Sequence, residues 1–222
     1  GAGNDVVEIE AFKLTLGSTV SFIGGDGADS FSIIADGSIV GNVDVNLGAS
    51  AAGTQRVVLE SLTRNAAGLA LGGGLSVDAT GAVGADAFTL TNVSVLKAIN
   101  LTLGEGVSTV DIDNLRAEDV FNLSTGGGND IVNIERENLF GNSIVRKLAA
   151  IQLGAGDDQI AIGDPLPEPN TEADDSTRVN FIGGLTVDGG DGANDNRNDI
   201  LAQNTFGVPL TAPTGFELTT LV

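Results

Sequence analysis

The chain has 222 residues, 41% of them apolar, and carries 30 acidic against 10 basic residues for a formal charge of −20. That apolar fraction excludes a disordered acidic tail, and the charge excludes a nucleic-acid partner, whose phosphates it would repel. With no Cys, Met, His, Trp or Tyr, disulfide, thiol and imidazole chemistry are excluded too.

The chain opens on Gly1-Ala-Gly-Asn-Asp5, a Gly-rich turn closed by an Asp, and runs into apolar residues two apart at Val7 and Ile9. That spacing puts side chains on one face of a strand. A second element, Leu14-Thr-Leu16-Gly17, has the same spacing. The unit returns as Gly25-Asp-Gly-Ala-Asp29 with Phe31 and Ile33, followed by Val43-Asp-Val-Asn-Leu47. A weaker copy, Arg56-Val-Val-Leu-Glu60, precedes a small-residue insertion, Ser61 to Gly74, and then Leu75-Ser-Val77.

Gly84-Ala-Asp86 leads to Phe88 and Leu90, then to Leu101-Thr-Leu103. Ser108-Thr-Val-Asp-Ile112 fills the next slot, with Thr109 in the Asp place, ahead of Phe121-Asn-Leu123. The best helical candidate, Leu115 to Phe121, is short and runs into that strand pattern. Gly126-Gly-Gly-Asn-Asp130 brings Val132 and Ile134, then Ala150-Ile-Gln-Leu153. Gly154-Ala-Gly-Asp-Asp158 brings Ile160 and Ile162. The Pro-rich acidic stretch 163–177 cannot join a ladder and reads as a loop, after which the repeat resumes at Val179 and Leu185-Thr-Val187. Gly190-Asp-Gly-Ala-Asn-Asp195 closes the series, and Thr211 to Val222 reads as a final strand.

Short alternating strands recurring at this period predict one all-β domain over 1–222, a right-handed parallel β-solenoid of about eight coils of roughly 22–36 residues. Each strand then pairs with its copy one coil on. Phe31, Ile33, Phe88, Leu90, Val132, Ile134, Ile160 and Ile162 become stacked inward ladders.

Gly24-Gly-Asp-Gly-Ala-Asp-Ser-Phe-Ser32 matches the nonapeptide G-G-x-G-x-D-x-U-x and here resembles the RTX-type repeats of secreted bacterial proteins. Thr125 to Asn133, Leu153 to Ala161 and the first turn match from the second Gly onward, while Gly189 to Asn194 has Asn at the Asp position. The resemblance implies calcium held at Asp5, Asp29, Asp130, Asp158 and Asp195. In RTX domains the nonapeptides run in tandem, whereas these copies sit a full coil apart. The residues also allow a metal-free reading, in which Gly supplies positive φ and Asp caps its own turn. A looser, compositional resemblance to Gly/Asp-rich repeat exoproteins of environmental bacteria spans nearly the whole chain. It implies an extracellular or cell-surface location and a matrix or adhesion role.

The expected function is a non-enzymatic structural one, as subunit or segment of a self-assembling fibre or surface matrix. A calcium-dependent adhesin is the alternative, and a polysaccharide lyase-like enzyme a distant third. The carboxylate pairs Asp111/Asp113, Asp157/Asp158 and Asp174/Asp175 read as solvated surface, and Trp and Tyr, on which sugar rings commonly stack, are missing. Scattered Thr residues disfavour an ice-binding face. No apolar run reaches the length of a membrane span, so membrane insertion is not expected. Arg136, Arg146 and Lys147 form a local basic patch, either salt-bridged or a dock for an acidic partner surface. The chain lacks an initiator Met and begins inside a repeat, so it is expected to be processed or part of something longer, or to associate with copies of itself end to end or laterally.

Overall fold

A computed structural model of the chain describes residues 1–63, 68–136, 141–163 and 179–191, with Thr214 and the backbone of three further short strands. The first coil carries β1 (Val6–Leu16) and β2 (Val20–Ile23), the second β3 (Ser30–Ile39) and β4 (Val43–Asn46). The third has β5 (Thr54–Glu60), β6 (Leu69–Leu71) and β7 (Leu75–Asp78). The fourth and fifth are β8 (Ala85–Val95) with β9 (Ile99–Thr102), and β10 (Ser108–Ala117) with β11 (Phe121–Ser124). The sixth has β12 (Ile131–Ile134), β13 (Ser143–Val145) and β14 (Ala149–Gln152), the seventh β15 (Gln159–Ile162), β16 (Val179–Phe181) and β17 (Leu185–Asp188). Beyond these lie β18 (Asn196–Asn198), β19 (Thr205–Phe206) and β20 (Leu218–Thr219).

Every pairing is parallel and joins a strand to its copy on the next coil, as the repeat demands. The chain is an all-β parallel β-solenoid with no helix among its described residues. One sheet of thirteen strands wraps two sides of each coil, and a second, in the order β17-β14-β11-β9-β7-β4-β2, forms the third side. Inside, one ladder runs Phe31, Val57, Phe88, Val110, Val132, Ile160 and a parallel one Ile33, Leu59, Leu90, Ile112, Ile134, Ile162. All twelve are buried. The third side adds Val43, Leu75, Ile99, Phe121, Ala149 and Leu185, one above another. Each large aliphatic so buried favours folding by roughly 1.5–3 kcal/mol.

The structure corrects several details. Leu14-Thr-Leu16 does not belong to the third side; it continues β1 and pairs with Gly37–Ile39 after a register shift following Ala11, and β2 takes the place expected of it. Each coil has three sides, not two strands, because β1, β3, β8 and β10 bend across a corner, and Ser61 to Gly74 contains β6. The seven-stranded sheet steps six times, about six turns, where about eight coils were expected. Leu115–Ala117, where the sequence runs into a strand pattern, is indeed the end of β10. Residues 164–177 of the acidic loop, and most of 211–222, lie outside the described residues.

Candidate functional site

The Gly/Asp turns stack into one continuous column. Register places Asp5, Asp29, Gln55, Asp86, Ser108, Asp130 and Asp158 at the same position on successive coils. The slot assigned to Thr109 therefore belongs to Ser108, and Gln55 fills the gap between Asp29 and Asp86. From Asp29 onward the column is buried.

Three of the carboxylates reach back to the preceding coil. Asp29 Oδ1 accepts the Asp5 N–H at 2.8 Å, Asp130 Oδ1 the Ser108 N–H at 2.7 Å, and Asp158 Oδ1 the Asp130 N–H at 2.8 Å. Asp86 instead accepts from the Gly104 N–H at 2.9 Å. Gln55, having an amide to donate, points Nε2 at the Leu47 carbonyl, 3.2 Å away. The glycines follow from the same stacking. A Cβ on Gly24 would sit 2.2 Å from Asp29 Oδ2, in the space the carboxylate occupies. Gly25 has φ +108°, and its Cβ would meet the Gly1 carbonyl oxygen at 2.0 Å.

Burial raises two of these acids, Asp86 and Asp130. Burial pushes the Asp86 carboxyl up to about 6, against the pull of the Gly104 N–H. Asp130 rises to about 7, mainly by burial, with the Asp158 charge one coil away adding to it. A backbone N–H thus satisfies one oxygen each of Asp29, Asp86, Asp130 and Asp158, and among the described residues no three acidic side chains converge as a metal cluster would require. Asp195 lies outside the described residues.

The opposite corner carries polar residues that the repeat did not reveal. Asn92, Asn114 and Glu135 occupy it on three successive coils, each with positive φ (55°, 48° and 58°). Asn92 Nδ2 donates to the Thr63 carbonyl at 3.3 Å and Asn114 Nδ2 to Asn92 Oδ1 at 2.9 Å. Glu135 Oε2 accepts the Asn114 N–H at 3.0 Å and the Ser143 hydroxyl. Asp36 extends the line, held below the usual carboxylate range, despite a burial penalty, by the hydroxyls of Ser61 and Thr63. Glu135 is fully buried, and burial, then the facing Asp113 carboxyl, holds it well above the usual range against the Ser143 hydroxyl. A 22-residue recurrence, from Asn92 to Asn114, was the available sequence signal.

Outside this corner lies a groove of about 510 Å³ lined by Thr89, Thr91, Asp111, Asp113, Asn133 and Arg136. Asp111 is exposed, as expected of a solvated pair, but Asp113 is only 9% exposed. Asn133 Nδ2 donates to Asp111 Oδ1 at 2.9 Å, and Arg136 Nη1 to the Gly163 carbonyl at 2.6 Å. The rest of the basic patch is neutralised locally. Arg116 and Arg146 each place Nε 2.7 Å from Glu118, and Lys147 lies 2.9 Å from Asp119. The chain matches no protein-family model, no curated protein and no solved structure.

Proposed function

We propose that the chain is a structural repeat protein, not an enzyme, that serves as a subunit or segment of an extracellular fibre or surface matrix and grows by end-to-end stacking of solenoids. The observation that carries this reading is the coil-on-coil register: every strand pairs in parallel with its copy on the next coil, and the same buried ladder runs through the stack. A coil so built can pair with any other coil of the same shape, in its own chain or in another copy. The extracellular setting rests on the Gly/Asp turns that resemble bacterial exoproteins. Sedimentation velocity at rising protein concentration tests the assembly: species larger than the monomer are expected, and a monomer at every concentration overturns it.

One observation favours a second reading, a calcium-dependent binding module. Asp29 Oδ2 and Asp86 Oδ1 are buried without a hydrogen-bond partner. A cation would satisfy them, as would a proton. If calcium is the occupant, millimolar calcium raises the melting temperature and a chelator lowers it, with magnesium less effective. A melting curve that neither moves leaves these acids as turn formers.

A further inference from the structure

We propose that the groove outside the polar corner binds a neutral polysaccharide strand, with Thr89, Thr91, Asn133 and Arg136 donating hydrogen bonds to it and Asp111 accepting them. Its volume, about 510 Å³, lies in the roughly 300–1,000 Å³ range of small-ligand clefts. The groove forms because β8, β10 and β12 run side by side in strict register. Thr89, Asp111 and Asn133 fall in one outward column, and Thr91 and Asp113 in the next.

Neighbours in a column stand about 4.8 Å apart, and the two columns are about 6.7 Å apart along each strand. Hydroxyl, carboxylate and amide groups therefore form a grid of alternating donors and acceptors. A chain of sugar hydroxyls can address such a grid at several points at once, by hydrogen bonds alone, since the described lining has no aromatic ring for a sugar to stack on. Ile112 is the one apolar residue in the described lining, so an apolar ligand would find little to contact.

The grid is held in place from behind. Asn133 and Asp111 are hydrogen-bonded to each other, and Arg136 is anchored on the Gly163 carbonyl. Asp113 is backed by buried Glu135, itself fixed by the Asn114 N–H and the Ser143 hydroxyl. Coils three and six carry extra residues at this corner, while coils four and five turn it on the single residues Asn92 and Asn114. The groove thus spans the two short corners and the start of the longer one on coil six. Charge selects the class of glycan. Two carboxyls and one guanidinium line a molecule of net charge −20, which disfavours a polyuronate or sulfated chain and leaves an uncharged one.

The test is native electrophoresis of the full chain through gels containing hydroxyethyl cellulose, glucomannan or dextran, with polygalacturonate as the charged comparison. Retardation by at least one neutral polysaccharide is expected. Asn133→Ala and Thr91→Ala should each weaken it by ~tenfold or more in Kd. Asn122→Ala, on the outer face of the seven-stranded sheet, should leave it unchanged. Thermal unfolding of each variant checks that the fold survives, and Thr89→Ala replaces any variant that does not fold. No retardation in any neutral gel overturns the proposal. So does retardation that the groove variants leave intact, or binding that is stronger to polygalacturonate.

Discussion

Asp130 shows how a single residue ties the turn column to solution conditions. Its Oδ1 takes the Ser108 N–H of the coil before, and its own N–H goes to Asp158 of the coil after. Burial holds its carboxyl at about 7 and that of Asp86 at about 6, both above an unfolded value of about 3.9. The native state then binds protons that the unfolded state has already released. Stability from these groups is fully present below about pH 4 and is lost as pH rises through the folded values. The melting temperature at constant ionic strength should accordingly fall between about pH 4 and pH 7. Asp130→Asn keeps an oxygen for the Ser108 N–H but has no proton to lose, so its melting temperature should fall less steeply. Equal slopes for the two proteins would remove Asp130 from the pH response. Gly24 and Asp29 were legible as a motif, but the physical link between them was not. The carboxylate occupies the place of the missing Cβ, a contact that only the folded turn creates.

At the scale of the strand, the turns and the first-side ladders were readable because Gly, Asp and a period of two are local signals. The second side was missed because no Gly marks its corner on the fourth and fifth coils. The evidence was a slip in phase. Inward residues run Phe88 and Leu90, then Val93 and Val95; one coil on they run Val110 and Ile112, then Leu115 and Ala117. A strand that keeps its face cannot skip from even to odd positions unless one residue re-aims it. Asn92 and Asn114 do so with positive φ, which Asn tolerates better than most side chains. The groove escaped notice for a related reason: Asp111 and Asn133 are 22 residues apart and meet only through register. If the corner is set by backbone conformation, Asn114→Ala should be less stable than Asn114→Gly by roughly 1 kcal/mol, since both lose the bond to Asn92 and only Ala pays for positive φ. Urea unfolding of the pair measures this. An Ala variant as stable as the Gly variant would show that the corner is held by side-chain hydrogen bonds alone.

For the whole molecule, the proposed fibre requires a coil edge of one copy to pair with a coil of another, and among the described residues β1 presents such an edge. The Ser30 N–H donates to the Asp5 carbonyl, so the odd-numbered residues of β1 before the register shift at Ala11 face β3 across the ladder. The backbone groups of Val6, Glu8 and Glu10 face the other way, toward the open edge. A head-to-tail contact on that edge does not close on itself and so generates a filament. Assembly must overcome the repulsion of subunits carrying −20, so it should strengthen with added salt, which screens exposed charges beyond about 8–10 Å at physiological ionic strength. The Arg146 and Lys147 charges are already paired with Glu118 and Asp119 within the chain. Glu8→Pro is the discriminating variant. Proline removes one N–H from the open edge, where the β1–β3 ladder does not use it, and edge strands tolerate proline. Light scattering at rising concentration and salt should show large species for the unmodified chain and mostly monomer for Glu8→Pro, with little change in melting temperature. Undiminished assembly by the proline variant would move the contact away from β1. A monomeric parent chain at every concentration and salt level would remove the fibre reading altogether.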